Sequence, residues 1–221
     1  MKQTQARYDL IVFDWDGTLA NSTQLIVDAI CQASLDVGLP KPSQQAASSI
    51  IGLGFREAVY ELFGQIPDSL LHDITARYTL YYGAGEHDIP LFDGAQQLIQ
   101  QLVERNIALG VATGKGRAGL NRALQRSGVG QHFFATRTVD ECFSKPHPQM
   151  LQQMISECMT TPERTLMVGD TSFDLQMASN AGVKSLAVTF GAHPKQRLLE
   201  HQPMACFDDF SELVQWFNVH V

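Results

Sequence analysis

Leu10-Ile11-Val12-Phe13-Asp14-Trp15-Asp16-Gly17-Thr18-Leu19 is the stretch on which the reading of the whole chain turns. Four apolar residues follow one another without alternation, the pattern of a strand buried on both faces in a parallel sheet covered by helices. Nothing in such a strand calls for carboxylates at its end, yet Asp14 and Asp16 come at once. Alternate side chains of an extended chain share a side, so the two acids start out together while Trp15 faces the other way. Gly17 then lets the backbone turn sharply. Ligands of open parallel α/β sheets bind in the crevice beyond the carboxyl ends of the strands, which makes this pair of acids a candidate site. A solvated Asp-Gly turn is the plain structural alternative.

The 221 residues leave room for one domain with an insertion or for two small domains, and 44% hydrophobic with 18% charged residues is ordinary for a globular protein. A formal net charge of -7 argues against a nucleic-acid or anionic-membrane surface, so a phosphate-bearing ligand would need local cations. Cys31, Cys142, Cys158 and Cys206 are far apart and form no CxxC pair, which suggests neither a zinc site nor a disulfide framework and points to a reducing cytoplasm. The polar start 1–7 runs into a short strand rather than a long apolar segment, so no signal peptide is expected, and no stretch approaches a membrane span.

After Leu19 the apolar period becomes helical. Asn21 or Ser22 can cap a helix carrying Leu25, Ala29, Ile30, Ala33 and Val37, and the stretches 43–51, 55–63 and 68–82 also read as helices. Gly83-Ala84-Gly85, followed by Pro90, reads as the linker that ends this helical block. From Asp93 onward helices alternate with short apolar strands: strands at 107–112, 133–137, 165–169, 185–189 and 204–207, and helices at 94–105, 117–127, 148–158, 173–181, 195–200 and 209–218. Such alternation predicts right-handed βαβ units in an α/β, doubly wound, Rossmann-like parallel sheet. The core then comprises 1–19 and 85–221, with a helical insertion at 20–84 set directly after the two acids, where it can act as a lid.

Three later strand ends carry polar residues. The strand 107–112 ends in Thr113-Gly114-Lys115-Gly116, too short and lacking the hydroxyl residue of a Walker A loop, and Thr113 alone would serve as a helix cap. Lys145 lies before Pro146-His147-Pro148, where a stiffened backbone could present a compact positive charge; a solvated lysine is the alternative. Gly169-Asp170-Thr171-Ser172-Phe173-Asp174 places Asp170 at a strand end like Asp14, with Asp174 one helical turn on. Several carboxylates at one sheet edge repel unless a cation joins them, and Mg²⁺ prefers such hard oxygen ligands.

The order DWDGT, Thr113 after an apolar strand, Lys145 in KPHP, then GDTSFD resembles the four motifs of haloacid-dehalogenase-superfamily phosphatases. The resemblance spans essentially the whole chain, and the insertion resembles the small α-helical cap of the phosphoglycolate-phosphatase-like branch. It implies that Asp14 is the nucleophile forming an aspartyl-phosphate and that Asp16 protonates the leaving oxygen and then activates water. Asp14, Asp170 and the backbone carbonyl of Asp16 would hold Mg²⁺, with Asp174 orienting the metal shell. Thr113, the Gly114 N–H and Lys145 would bind the phosphate. The cap would select the substrate, a small phosphorylated metabolite resembling phosphoglycolate, and Arg56 in Gly52-Leu53-Gly54-Phe55-Arg56 could meet a carboxylate or second anionic group. An exposed arginine at a helix start is the alternative for Arg56. The implied enzyme is a phosphoric monoester hydrolase, a monomer or homodimer; a phosphosugar mutase on the same scaffold and a phospho-Asp signalling module are the other readings.

Overall fold

The computed structural model describes residues 8–221; the segment 1–7, read above as a polar start, lies outside them. In chain order the elements are β1 (Leu10–Phe13), α1 (Thr23–Asp36), α2 (Gln44–Ser49), α3 (Phe55–Phe63), α4 (Asp68–Gly85), α5 (Ala95–Glu104), β2 (Ala108–Ala112), α6 (Arg117–Ser127), β3 (Ala135–Arg137), α7 (Gln149–Glu157), β4 (Thr165–Gly169), α8 (Ser172–Asn180), β5 (Lys184–Val188), α9 (Lys195–Leu199), β6 (Ala205–Phe207) and α10 (Phe210–His220). All the expected strands and helices are present, with ends displaced by a residue or two. The linker is the exception: Gly83-Ala84-Gly85 continues α4. Each glycine weakens a helix by about 1 kcal/mol, but Tyr82 beside them is buried and Ile74 and Leu71 of the same helix pack with Ile26, Val27 and Ile30 of α1. Packing of that face outweighs local propensity.

The six strands are all parallel in the order β3-β2-β1-β4-β5-β6, so β1 lies in the middle of the sheet and the order reverses between β1 and β4. This doubly wound order differs from the 2-1-3-4-5 order of the flavodoxin-like fold that signalling receivers use. Side chains of β1 divide between the two faces as an extended strand requires. Ile11 and Phe13 pack with Leu98 and Leu102 of α5 and Leu213 and Phe217 of α10, while Leu10 and Val12 pack with Met150 and Met154 of α7 and Met177 of α8. Trp15 joins the first of these layers, its ring edge-on to Phe133, so the acids on either side of it turn the other way.

Helices α1 to α4 gather around an apolar cluster of their own, which includes Ile30, Ala47, Val59 and Ile74. Chain leaves and re-enters the sheet half through two adjacent segments: Asn21 N–H donates to Pro90 O (3.0 Å) and Phe92 N–H to Leu19 O (2.9 Å). Among the described residues no helix is long and apolar enough to cross a membrane.

Candidate active site

The site forms because three strands end together at the point where the strand order reverses. Asp14 N–H donates to Val168 O (2.9 Å), which carries the β1–β4 ladder one residue past the strand and sets Asp14 beside Asp170. Gly17 has φ +85, and a Cβ there would lie 2.3 Å from Asp170 Oδ2. A glycine is therefore required both by the turn and by the approach of the two loops.

Asp14, Asp170 and Asp174 are fully or almost fully buried, and one oxygen from each lies within 4.8 Å of the others. Lys145, also buried, places Nζ 2.6 Å from Asp14 Oδ1 and 2.6 Å from Asp174 Oδ1. Asp174 Oδ2 in turn accepts from the Thr171 N–H (3.1 Å) and hydroxyl (2.7 Å), the capping box of α8. Asp170 accepts from Thr18 Oγ1 (2.8 Å) and from Ala192 N–H (2.7 Å). Among the described residues Asp14 Oδ2 has no partner although it is buried.

One ammonium thus faces three carboxylates. Burial pushes the Asp14 carboxyl well above its ordinary range; Lys145 opposes the shift and the neighbouring acids add to it. Asp170 is likewise raised to about 7, first by burial and then by Asp174. Burial by itself would lower Lys145, but Asp14 and Asp174 overcome it and hold the lysine charged above its usual range. The charge deficit, the all-oxygen donor set and the unpartnered Asp14 oxygen together fit a divalent cation.

The raised carboxyls carry a pH signature. Asp170 in the folded state binds its proton up to about pH 7, against a reference value of 3.8. Its contribution to stability is full below the lower value and is lost as pH rises through the upper one. In chelator the unfolding free energy from urea titrations should therefore fall between about pH 4 and pH 8, by at most a few kcal/mol, and added Mg²⁺ should flatten that slope.

Asp16 is bonded differently. Ser22 Oγ donates to its Oδ1 at 2.7 Å and Lys115 Nζ reaches the same oxygen at 2.9 Å. Both bonds fall on Oδ1, and neither engages the other carboxyl oxygen. Lys115 also donates to the Tyr82 hydroxyl (2.7 Å) in α4. Thr113 is buried, and its Oγ1 accepts from Lys115 N–H (3.1 Å) at the mouth of the loop that precedes α6. Gly114 lies directly under the segment between α2 and α3: a Cβ there would be 2.4 Å from Leu53 O.

The structure gathers Asp14, Asp16, Thr113, Gly114, Lys145, Asp170 and Asp174 at one edge. Arg56 stands apart. It is exposed, with Nη1 3.2 Å from the Tyr60 hydroxyl and 3.5 Å from Asp68, and it lines a different surface hollow. Arg56→Ala should leave kcat/KM within about twofold, since an exposed pair contributes under about 1 kcal/mol; steady-state kinetics check this.

Several residues at the site carried no signal of their own. Ser22 occupies the N-cap position of α1, but its hydroxyl makes no cap bond and goes to Asp16 instead. Lys115 belongs to a loop singled out for Thr113, and only its reach to Asp16 shows its place. His193 follows β5 and is buried; Ser172 N–H donates to its Nδ1 (2.9 Å), and its Nε2 donates to Ser49 O of α2 (3.0 Å). Burial holds the imidazole near a pKa of 4 and so neutral. Ser48 Oγ donates to Ala192 O (2.8 Å), so the segment that binds Asp170 is also tied to the helical group. His193→Ala would strand the buried Ser172 N–H and take a partner from the Ser49 carbonyl, and should cost about 1–3 kcal/mol in urea unfolding.

Carboxylates, a lysine and a threonine converging at the strand-order reversal of a parallel sheet form a site suited to phosphoryl transfer. The chain belongs to the haloacid dehalogenase-like hydrolases: the pattern of that family matches residues 11–188. It is 33% identical over 214 residues to the probable phosphatase IndB of Dickeya dadantii, covering 93% of this chain and 91% of the relative. It is 26% identical over 211 residues to the pyrophosphatase PpaX of Bacillus cereus, covering 94% and 95% of the two chains. In fold it is similar to a predicted phosphoglycolate phosphatase from Haemophilus somnus, with a TM-score of 0.83 and 24% identity over 96% of this chain and 99% of that one.

Proposed function

We propose that the protein is a Mg²⁺-dependent phosphatase that hydrolyses small phosphomonoesters through an aspartyl-phosphate on Asp14. The observation that carries this reading is the buried Asp14 carboxylate, pinned through Oδ1 by Lys145 with Oδ2 unpartnered, and accompanied two residues on by an acid bonded only through Oδ1. Asp14 and Asp170, with the backbone carbonyl of Asp16, would hold the metal, and Asp174 would keep Lys145 and the metal shell in register. Bound there, the cation supplies charge neutralisation for the phosphoryl oxygens.

Asp14 attacks the phosphorus, a new carboxyl-oxygen–phosphorus bond forms, and the bond to the ester oxygen breaks. Asp16 gives its proton to the departing alkoxide, then takes one from the water that cleaves the aspartyl-phosphate. Thr113, the Gly114 N–H and Lys145 bind the phosphoryl oxygens, so positioning and electrostatics provide most of the acceleration. Helices α1 to α4 act as the cap over this site. Four unpaired cysteines support a reducing, cytoplasmic setting.

Phosphate release from a panel of phosphomonoesters, phosphoglycolate included, in Mg²⁺ and in chelator, tests the reading. Metal-dependent release is expected. Failure of every ester, or return of an isomerised sugar phosphate without release, would contradict it.

A further inference from the structure

Between the sheet edge and the cap lies a cavity of about 330 Å³ that reaches Asp14 and Asp16. The size is that of pockets holding ring-bearing small molecules. Its cap-side wall is made by Ile26 and Ile30 of α1, Ile50, Phe55, Ala58 and Tyr78. No charged side chain enters from the cap among the described residues; besides Asp14 and Asp16, the charges on the lining are Lys115, Arg122 and Asp140 from the sheet half.

Aromatic rings run along this wall. Phe55 and Tyr78 have centroids 4.6 Å apart, and Tyr78 stacks on Tyr82 at 5.7 Å. The run ends at the Tyr82 hydroxyl, 2.7 Å from Lys115 Nζ. It leads from the nucleophile's neighbourhood into the apolar part of the cavity.

A leaving group with its own negative charge would need an uncommitted cation here, and both cations are engaged. Lys115 is 2.9 Å from Asp16, and Arg122 holds Glu86 through Nε at 2.7 Å and Nη2 at 3.3 Å. A carboxylate or second phosphate could draw on Lys115 only by competing with Asp16, whose side chain is 9% exposed, and on Arg122 only by competing with Glu86, which Arg126 also holds at 3.0 Å. Arg56, the remaining cation near the cap loop, is turned away from this cavity.

We propose that the leaving group is an uncharged, ring-bearing alcohol that lies against Phe55, Tyr78 and the α1 isoleucines, and that the site turns away substrates whose leaving group carries its own negative charge, such as pyrophosphate or a phosphorylated hydroxy acid. The proposal rests on the phosphomonoesterase reading above. No step is added to it: the phosphorus–oxygen bond of the ester breaks, and the neutral alcohol leaves with the Asp16 proton.

The test compares kcat/KM for benzyl, cyclohexylmethyl and ethyl phosphates with phosphoglycolate and pyrophosphate at one Mg²⁺ concentration. The three alkyl esters release primary alcohols of similar basicity, so chemistry is held nearly constant while binding varies. Benzyl phosphate should exceed ethyl phosphate by about tenfold to a hundredfold, and both anionic substrates should fall below ethyl phosphate. Tyr78→Ala should narrow the benzyl-to-ethyl ratio by about tenfold, whereas Tyr78→Phe should keep it; a merely structural defect would lower both esters alike and leave the ratio. Equal turnover of benzyl and ethyl phosphates, or phosphoglycolate or pyrophosphate as the best substrate, overturns the leaving-group proposal while the phosphatase reading stands. No release from any ester overturns that reading itself.

Discussion

Asp14→Asn is expected to lower kcat by about 10⁴-fold or more while the protein keeps its fold. Asparagine has the shape of the aspartate, so the β1–β4 ladder, which runs through backbone atoms at this position, is untouched. The amide is a feeble nucleophile, and its nitrogen replaces an oxygen that either Lys145 or the cation would use. The electrostatic effect of the same change is mixed. It removes one of three mutually repelling carboxylates but also one of the two acids paired with Lys145. Thermal stability in chelator should consequently move by only a few degrees, in contrast to the loss of activity. Circular dichroism melts beside phosphate-release kinetics separate the two effects.

Lys145→Met is expected to damage both activity and folding. The side chain is buried and its Nζ is the cation in contact with Asp14 and Asp174. Methionine replaces the stem but leaves the acids uncompensated, and breaking a buried pair in this way costs about 3–5 kcal/mol. For a chain of this length that corresponds to a fall in Tm of roughly 10 °C. Added Mg²⁺ should restore part of the loss by supplying positive charge to the same carboxylates. Lys145→Arg should rescue poorly, because a planar guanidinium does not fit where a compact ammonium sits 2.6 Å from two separate oxygens. The double variant Lys145→Met/Asp174→Asn should be more stable than Lys145→Met alone, since it removes one uncompensated charge. A Lys145→Met protein as stable as wild type in chelator would show that the lysine does not balance the acids.

The fold was legible because its signals are local. Unalternating apolar strands, helical periods between them and turn residues at their ends placed every strand near its observed position. Gly83-Ala84-Gly85 misled for the same reason: glycine's local preference argues for a break, and the packing of α4 on α1 that overrides it involves residues about fifty positions away. The acids at strand ends were readable from side-chain alternation and from the rule for ligand sites in parallel sheets. The pairing of Lys145 with Asp14 was not readable from spacing, since the two meet across a separation of 131 residues; the resemblance placed Lys145 only among the phosphate ligands.

Ser22, Lys115 and His193 were hidden because each has a commoner use. Ser22 has the position of a cap and the bond of a site residue, and a sequence displays only the position. His193 acquires its place between Ser172 and Ser49 from three separate elements. Arg56 was open to two readings, a ligand for an anionic group or an exposed arginine at a helix start; a helix start offers outward as well as inward directions, and here Tyr60 and Asp68 hold it outward.

The most direct test of Asp14 as the nucleophile is acid quenching of the enzyme during turnover of a phosphate-labelled ester, followed by peptide mapping. A hydroxylamine-labile phosphoryl group on the peptide containing Asp14, absent from Asp14→Asn, is the predicted result. Phosphate release that persists at the wild-type rate in Asp14→Asn, or label carried by another residue, would contradict the account.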